Sequence, residues 1–179
     1  MNKWTISKEF HFCYGHRVWS QTLNKKYSID NQCACRHLHG HQGKLIVHLW
    51  ATSLKDGMVT DFKHLNWMKK FIDEVVDHKM IIDLNDPYFK FFGNNKDFLL
   101  PQKEGYYIVD PVSIKGSAFP EIDEGLIYVD FIPTSENLCK WFYDIVERKM
   151  IEIDVTVEAV EFFETPKSRS YYKKYWNGK

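Results

Sequence analysis

Cysteine is scarce in this chain, and the four present, Cys13, Cys33, Cys35 and Cys139, form no CxxC redox pair and no Cys-rich structural zinc set. The first residues, Met-Asn-Lys-Trp-Thr-Ile-Ser, lack the apolar run of a signal peptide. The expectation is therefore a cytoplasmic chain with reduced thiols rather than a disulfide scaffold. No apolar stretch is long enough to span a bilayer, and no repeat or low-complexity tract is present. Net charge is absent as well. Lys and Arg total 24 and Asp and Glu total 24, so no global field favours nucleic acid or an anionic membrane. An anionic substrate must be held by a local arrangement.

What is present is concentrated. The chain has 179 residues with 44% hydrophobic and 27% charged content, an ordinary soluble composition that suits residues 1–179 as a single domain with an insertion at about 86–131. Its densest chemistry is Cys33-Ala-Cys-Arg-His-Leu-His-Gly-His41. His39-Gly40-His41 has the two-residue period of a strand, so both imidazoles point to one side. Two adjacent imidazoles with a thiol four residues upstream can hold a metal and offer a base beside it. His37 shares that strand phase and takes no assigned role.

Residues 3–16 alternate, with Phe10, Phe12, Tyr14 and His16 on one face and Glu9, His11 and Cys13 on the other. This predicts a strand that delivers His16 inward, with Gly15 loosening the backbone before it. His16 then supplies the third imidazole that a catalytic zinc site needs. Residues 20–35 read as a loop. After Gly43, Leu45, Val47 and Leu49 continue the phase of His39 and His41 in a second strand that can pair antiparallel with the first. Lys55-Asp56-Gly57 is a turn. Asp61 is placed to cap a helix carrying Phe62, Leu65, Met68, Phe71, Ile72, Val75 and Val76, which ends near Asp77-His78.

The segment 86–131 is rich in Pro and Gly, with short strands expected at 106–109 and 126–131 and little helix. Pro133-Thr-Ser-Glu-Asn137 opens a second helix with Leu138, Trp141, Phe142, Ile145 and Val146 inward, and Cys139 as a small core residue. A third strand covers 153–163 with a bulge near Ala159-Val160, and a fourth covers 170–176. Lys167, Arg169, Lys173, Lys174 and Lys179 make a basic end that reads as a solvated strand face.

Several of these features occur together in one family. His16 in Gly-His-Arg, Cys35-x-x-x-His39-Gly-His41, Gly57-Met-Val-Thr-Asp-Phe62, Asp77-His78, Pro133-Thr-Ser-Glu-Asn137 and Phe-Glu164-Thr resemble, in order, the 6-pyruvoyltetrahydropterin and 6-carboxytetrahydropterin synthases. The resemblance covers residues 4–85 and 126–176, and the segment between is longer than the family's usual link. It implies an α+β tunnelling-fold subunit: a four-stranded antiparallel sheet with two helices on one face, in the order β-β-α-α-β-β. It also implies homo-oligomers, trimers stacked as hexamers, with active sites at subunit interfaces. The implied substrate is 7,8-dihydroneopterin triphosphate and the implied cofactor is Zn2+ on His16, His39 and His41. Cys35 would be the proton acceptor, His78 with Asp77 its relay, and Glu164 the anchor of the pterin edge. Thr134, Ser135 and Glu136 would line the pterin pocket.

Cysteine spacing distinguishes two products. Cys35, four before His39, matches the carboxy type, which releases triphosphate and acetaldehyde on the route to 7-deazapurines such as queuosine. Cys33, six before His39, sits where the pyruvoyl type has its cysteine. A non-catalytic pterin-binding module of the same fold is the remaining alternative, and the full set of reactive residues argues against it.

Overall fold

Strand β1 (Trp4–His16) follows from its alternation: Phe10, Phe12, Tyr14 and His16 are buried, while Glu9, His11 and Cys13 are exposed. The structure is a computed structural model that describes residues 2–28, 33–88 and 96–175. Strand β2 (His39–Ala51) lies beside β1 and buries Leu45, Val47 and Leu49 completely. Beyond it Asp56 (φ 52°) and Gly57 (φ 79°) close a two-residue turn between the paired residues Lys55 and Met58. Positive φ at both central positions is the primed turn that Asp-Gly favours.

The sheet is larger than the four antiparallel strands expected. Eight strands are described, ordered β4-β5-β6-β3-β1-β2-β7-β8. The additional strands are β3 (Lys79–Asp83), β4 (Leu99–Pro101), β5 (Tyr107–Val109) and β6 (Leu126–Val129). Strand β3 runs parallel to both neighbours, with His16 of β1 opposite Ile81 and Ile127 of β6 opposite Ile81 on the other side. Its consecutive Ile81 and Ile82 are both buried. A strand covered on both faces shows a continuous apolar run, so its sequence carries no period of two.

Segment 86–131 therefore supplies sheet strands. The two strands expected there are β5 and β6, and β4 was not anticipated. Two short helices were not anticipated either: α2 (Pro111–Lys115), capped by Asp110 accepting from Val112 N, and α3 (Pro120–Glu124). Each has proline at its start, where a missing N–H costs nothing.

Two compact units divide the chain, and strands β1 and β2 each contribute residues to both. One unit comprises Met1–Phe12, Gln42–Glu74 and Ser135–Lys179. Its core is helix α4 (Ser135–Met150) packed on β7 (Thr156–Thr165), with β8 (Ser168–Tyr172) at the edge. Phe142 is fully buried, stacks on Phe162 at 5.7 Å and meets Phe12 edge-on at 6.0 Å. Burial of one such side chain contributes about 1.5–3 kcal/mol. His48 of β2 faces Ala159 and Leu49 faces Val157, which leaves Glu158 as the extra residue of a bulge. Ala159 and Val160 can then both be buried. Strand β8 starts at Ser168, before the expected position, and Trp176 and Lys179 lie outside the described residues.

The expected single helix of residues 62–76 has three forms. Asp61 does cap it, accepting from Lys63 N at 2.7 Å. The chain then winds as a 3-10 turn (Phe62–Leu65), helix α1 (Asn66–Phe71) and a π turn (Ile72–Val76). Leu65, Met68, Ile72 and Val76 stay buried throughout, so one apolar stripe tolerates three winding patterns. Phe62 leaves the stripe and is exposed.

The other unit comprises Cys13–His41 and Val75–Thr134. It buries Ile81, Ile82, Ile127, Tyr128 and Val129, together with His16. Among the described residues no helix is long and apolar enough to cross a membrane.

Candidate metal centre

The end of β1 and the start of β2 bring His16, His39 and His41 together, each offering one ring nitrogen within 4.8 Å of the others. Ring centroids are 4.6 Å apart for His16 and His39, 4.8 Å for His39 and His41, and 5.1 Å for His16 and His41. His16 is fully buried and the other two are half-buried. The Tyr14 ring packs against His16 at 5.3 Å and His41 at 5.6 Å, giving the centre an aromatic wall. Gly15 is needed for close approach rather than for looseness. A Cβ there would meet the Met80 side chain at 2.6 Å and the His39 carbonyl at 3.1 Å.

The hydrogen bonds fix the tautomers. His16 Nδ1 donates to the Pro133 carbonyl at 2.6 Å, and His39 Nδ1 donates to the His37 carbonyl at 2.7 Å. A carbonyl only accepts, so each Nδ1 carries a proton, and each ring turns its Nε2 toward the centre. Those two Nε2 atoms face one another at 3.1 Å. Two lone pairs at that distance repel unless a cation lies between them. Tetrahedral ligands at about 2.0–2.1 Å from zinc are themselves about 3.3 Å apart, so the pair has the spacing of a metal site. The backbone carbonyls orient these imidazoles from behind, the arrangement in which outer partners hold metal-bound histidines. The group can hold a metal.

The surrounding chain is pinned. Arg17 Nε pairs with the buried Asp86 at 2.7 Å, and Trp19 Nε1 donates to Asp83 at 2.8 Å. Val18 N donates to the Cys35 carbonyl at 2.8 Å, tying the 3-10 turn Ala34–Arg36 to the residues after His16. That turn begins inside the segment expected to be plain loop and runs one residue past it.

The 6-pyruvoyl tetrahydropterin synthase family model matches residues 5–174. The chain belongs to that family. The 6-carboxy-5,6,7,8-tetrahydropterin synthase of Aquifex aeolicus is 34% identical over 184 residues, covering 96% of this chain and 99% of the relative. A synthase of the same name from Rickettsia conorii is 30% identical over 140 residues, covering 74% of this chain and 90% of the relative. A crystal structure of a protein from Wolinella succinogenes superposes with a TM-score of 0.93 at 49% identity, covering 98% of this chain and all of that one (100%). The 6-pyruvoyl tetrahydropterin synthase of Plasmodium vivax superposes at 0.59 with 16% identity, over 97% of this chain and 99% of that one, which shows the fold.

Other residues singled out from the family resemblance are distributed around the chain. Cys35 is half-buried in its 3-10 turn, and Cys33 is half-buried just before it. Asp77 and His78 pair with each other at 3.0 Å and group with Cys13, apart from the three histidines. His78 is held at φ 59°, a left-handed conformation uncommon outside glycine. Glu164 is half-buried near the end of β7. Thr134 precedes α4, Ser135 accepts from Ser170 Oγ at 2.8 Å, and Glu136 is exposed in the first turn.

The sequence reading missed the Pro133 and His37 carbonyls, the Asp83 and Asp86 anchors, and Cys13. A carbonyl leaves no signature in residue type. Asp83 ends β3 and Asp86 follows it, and a strand with no period of two gave neither anchor a signal in the sequence. Cys139 is excluded as a reactive thiol, because burial pushes it up to about 12.

Proposed function

We propose that the chain is a zinc-dependent lyase that converts 7,8-dihydroneopterin triphosphate to 6-carboxy-5,6,7,8-tetrahydropterin, releasing triphosphate and acetaldehyde, in 7-deazapurine biosynthesis of the queuosine type. The facing Nε2 atoms of His16 and His39, 3.1 Å apart with both Nδ1 protons committed elsewhere, carry the reading. The names of the Aquifex and Rickettsia relatives support the carboxy product.

His16, His39 and His41 would hold zinc through three neutral imidazoles with one position open. When bound, zinc supplies a Lewis acid that lowers the pKa of the hydroxyls on the substrate side chain. Cys35 takes the side-chain carbon proton as a thiolate, and His78, oriented by Asp77, relays it. Glu164 accepts from the two N–H donors on one edge of the pterin, a paired charge-assisted contact that fixes orientation. Thr134, Ser135 and Glu136 line the ring pocket. Residues 1–179 act as one catalytic domain, and its copies assemble into a homo-oligomer with sites at subunit interfaces.

Cys33, half-buried beside the same turn, keeps the pyruvoyl-forming elimination as the second reading. Incubation of zinc-loaded protein with dihydroneopterin triphosphate, followed by mass spectrometry of the products, decides between them. We expect the 6-carboxy product with one acetaldehyde per turnover. A 6-pyruvoyl product without acetaldehyde establishes the second reading, and no consumption of substrate overturns both.

A further inference from the structure

We propose that Cys13, Asp77 and His78 form a second metal site, for a soft or borderline divalent cation of the zinc class, separate from the three histidines. One ligand atom from each lies within 4.8 Å of the other two. Thiolate, imidazole and carboxylate together favour zinc, cobalt or cadmium over hard cations such as magnesium.

Two backbone contacts preorganise the cluster. Cys13 N donates to Asp77 Oδ1 at 2.7 Å, and His78 N donates to the Cys13 carbonyl at 2.7 Å. The strand and the end of the π turn are thus clamped to each other where the donors emerge, and the left-handed backbone at His78 is retained there (φ 59°). The donors differ in freedom. The Asp77 side chain is 29% exposed and fixed by its hydrogen bonds, whereas that of His78 is 79% exposed and Cys13 is on the surface. Both can close the last ångström around an ion without disturbing the core. Alternation along β1 sends the exposed Cys13 and the buried His16 to opposite faces, so the two groups of ligands do not compete for one ion. Binding displaces the thiol proton to solvent and leaves a metal–sulfur bond.

The consequence rests on the function proposed above. His78 is the relay imidazole in that reading, and an ion on Cys13, Asp77 and His78 removes it from proton transfer. Zinc would then activate at its first equivalent and inhibit at its second.

The test adds Co2+ to holoprotein carrying one equivalent of zinc and monitors the near-ultraviolet thiolate-to-cobalt charge-transfer band. We expect one further equivalent to bind with this band, and expect Cys13→Ser to abolish it while Cys35→Ser leaves it in place. His78→Ala should weaken the same binding step, giving a second variant with the thiol intact. Retention of the band in Cys13→Ser, its loss in Cys35→Ser, or no second equivalent each overturns the proposal. The band does not depend on turnover, so an inactive protein defeats the proposed function without touching this site. If the protein is active, the second equivalent should suppress turnover in wild type and not in Cys13→Ser.

Discussion

A neutral imidazole has a single N–H, and committing it to a carbonyl decides what the other nitrogen can do. Pro133 and His37 make that decision for His16 and His39. The three histidines that can hold a metal were legible in the sequence, because residue type and strand period place three imidazoles on one side. The carbonyls behind them were not, since any residue supplies one. The same limit applies to the thiols. Spacing selects Cys35 over Cys33 only through the family resemblance, and in the structure Cys35 lies within one short turn and Cys33 directly before it. Substitution separates them. We expect Cys35→Ala to lower kcat by about 10²–10⁴-fold, the usual worth of a positioned proton acceptor, with zinc content unchanged by elemental analysis. Cys33→Ala should stay close to wild type. The reverse ranking would assign the base to Cys33 and strengthen the pyruvoyl reading.

Among the elements, β1, β2 and α4 were legible because each is covered on one face and shows a clean period, whereas β7 starts at Thr156 and not at 153, since Ile151–Ile153 wind as a 3-10 turn. Strand β3 was not, because burial on both faces erases alternation, and the three-part winding of residues 62–76 keeps a single stripe. The bulge at Glu158 was visible as a phase shift, but its electrostatic consequence appears only in three dimensions. Burial alone would raise the Glu158 carboxyl. Hydrogen bonds from Lys173 at 2.8 Å, from Lys3 and from Thr5 at 3.0 Å outweigh it, and hold the group at about 2, against 4.5 for a free one. A carboxyl whose folded pKa is depressed stabilises the fold fully above its unfolded value. Its contribution is lost as pH falls from 4.5 through about 2. We expect Glu158→Gln to cost about 1 kcal/mol at neutral pH after solvent screening, measured by urea denaturation. The difference from wild type should shrink below about pH 4.5 and vanish only below about pH 2. A penalty independent of pH would mean that the bulge needs this side chain for its shape and not for its charge.

The proposed site draws on two groups of residues that a single chain holds apart. Asp77 and His78 group with Cys13 rather than with the three histidines, and His78 is 79% exposed. An imidazole this open would relay protons better under a second copy, the arrangement that the family resemblance implies and that remains a proposal. Mixed assemblies test this directly. His41→Ala disables the metal side and His78→Ala disables the relay, so each variant alone should be inactive. If the metal and relay sides of every site come from different copies, co-refolding the two at equal amounts draws each side at random. One half times one half leaves about a quarter of the sites with both sides intact, and about a quarter of wild-type activity should return. Sites built within one chain can never combine the two intact sides in such a mixture. Activity no higher than the sum of the separate variants therefore rejects the interfacial arrangement, and returns His78 to the chain that carries its own Cys35.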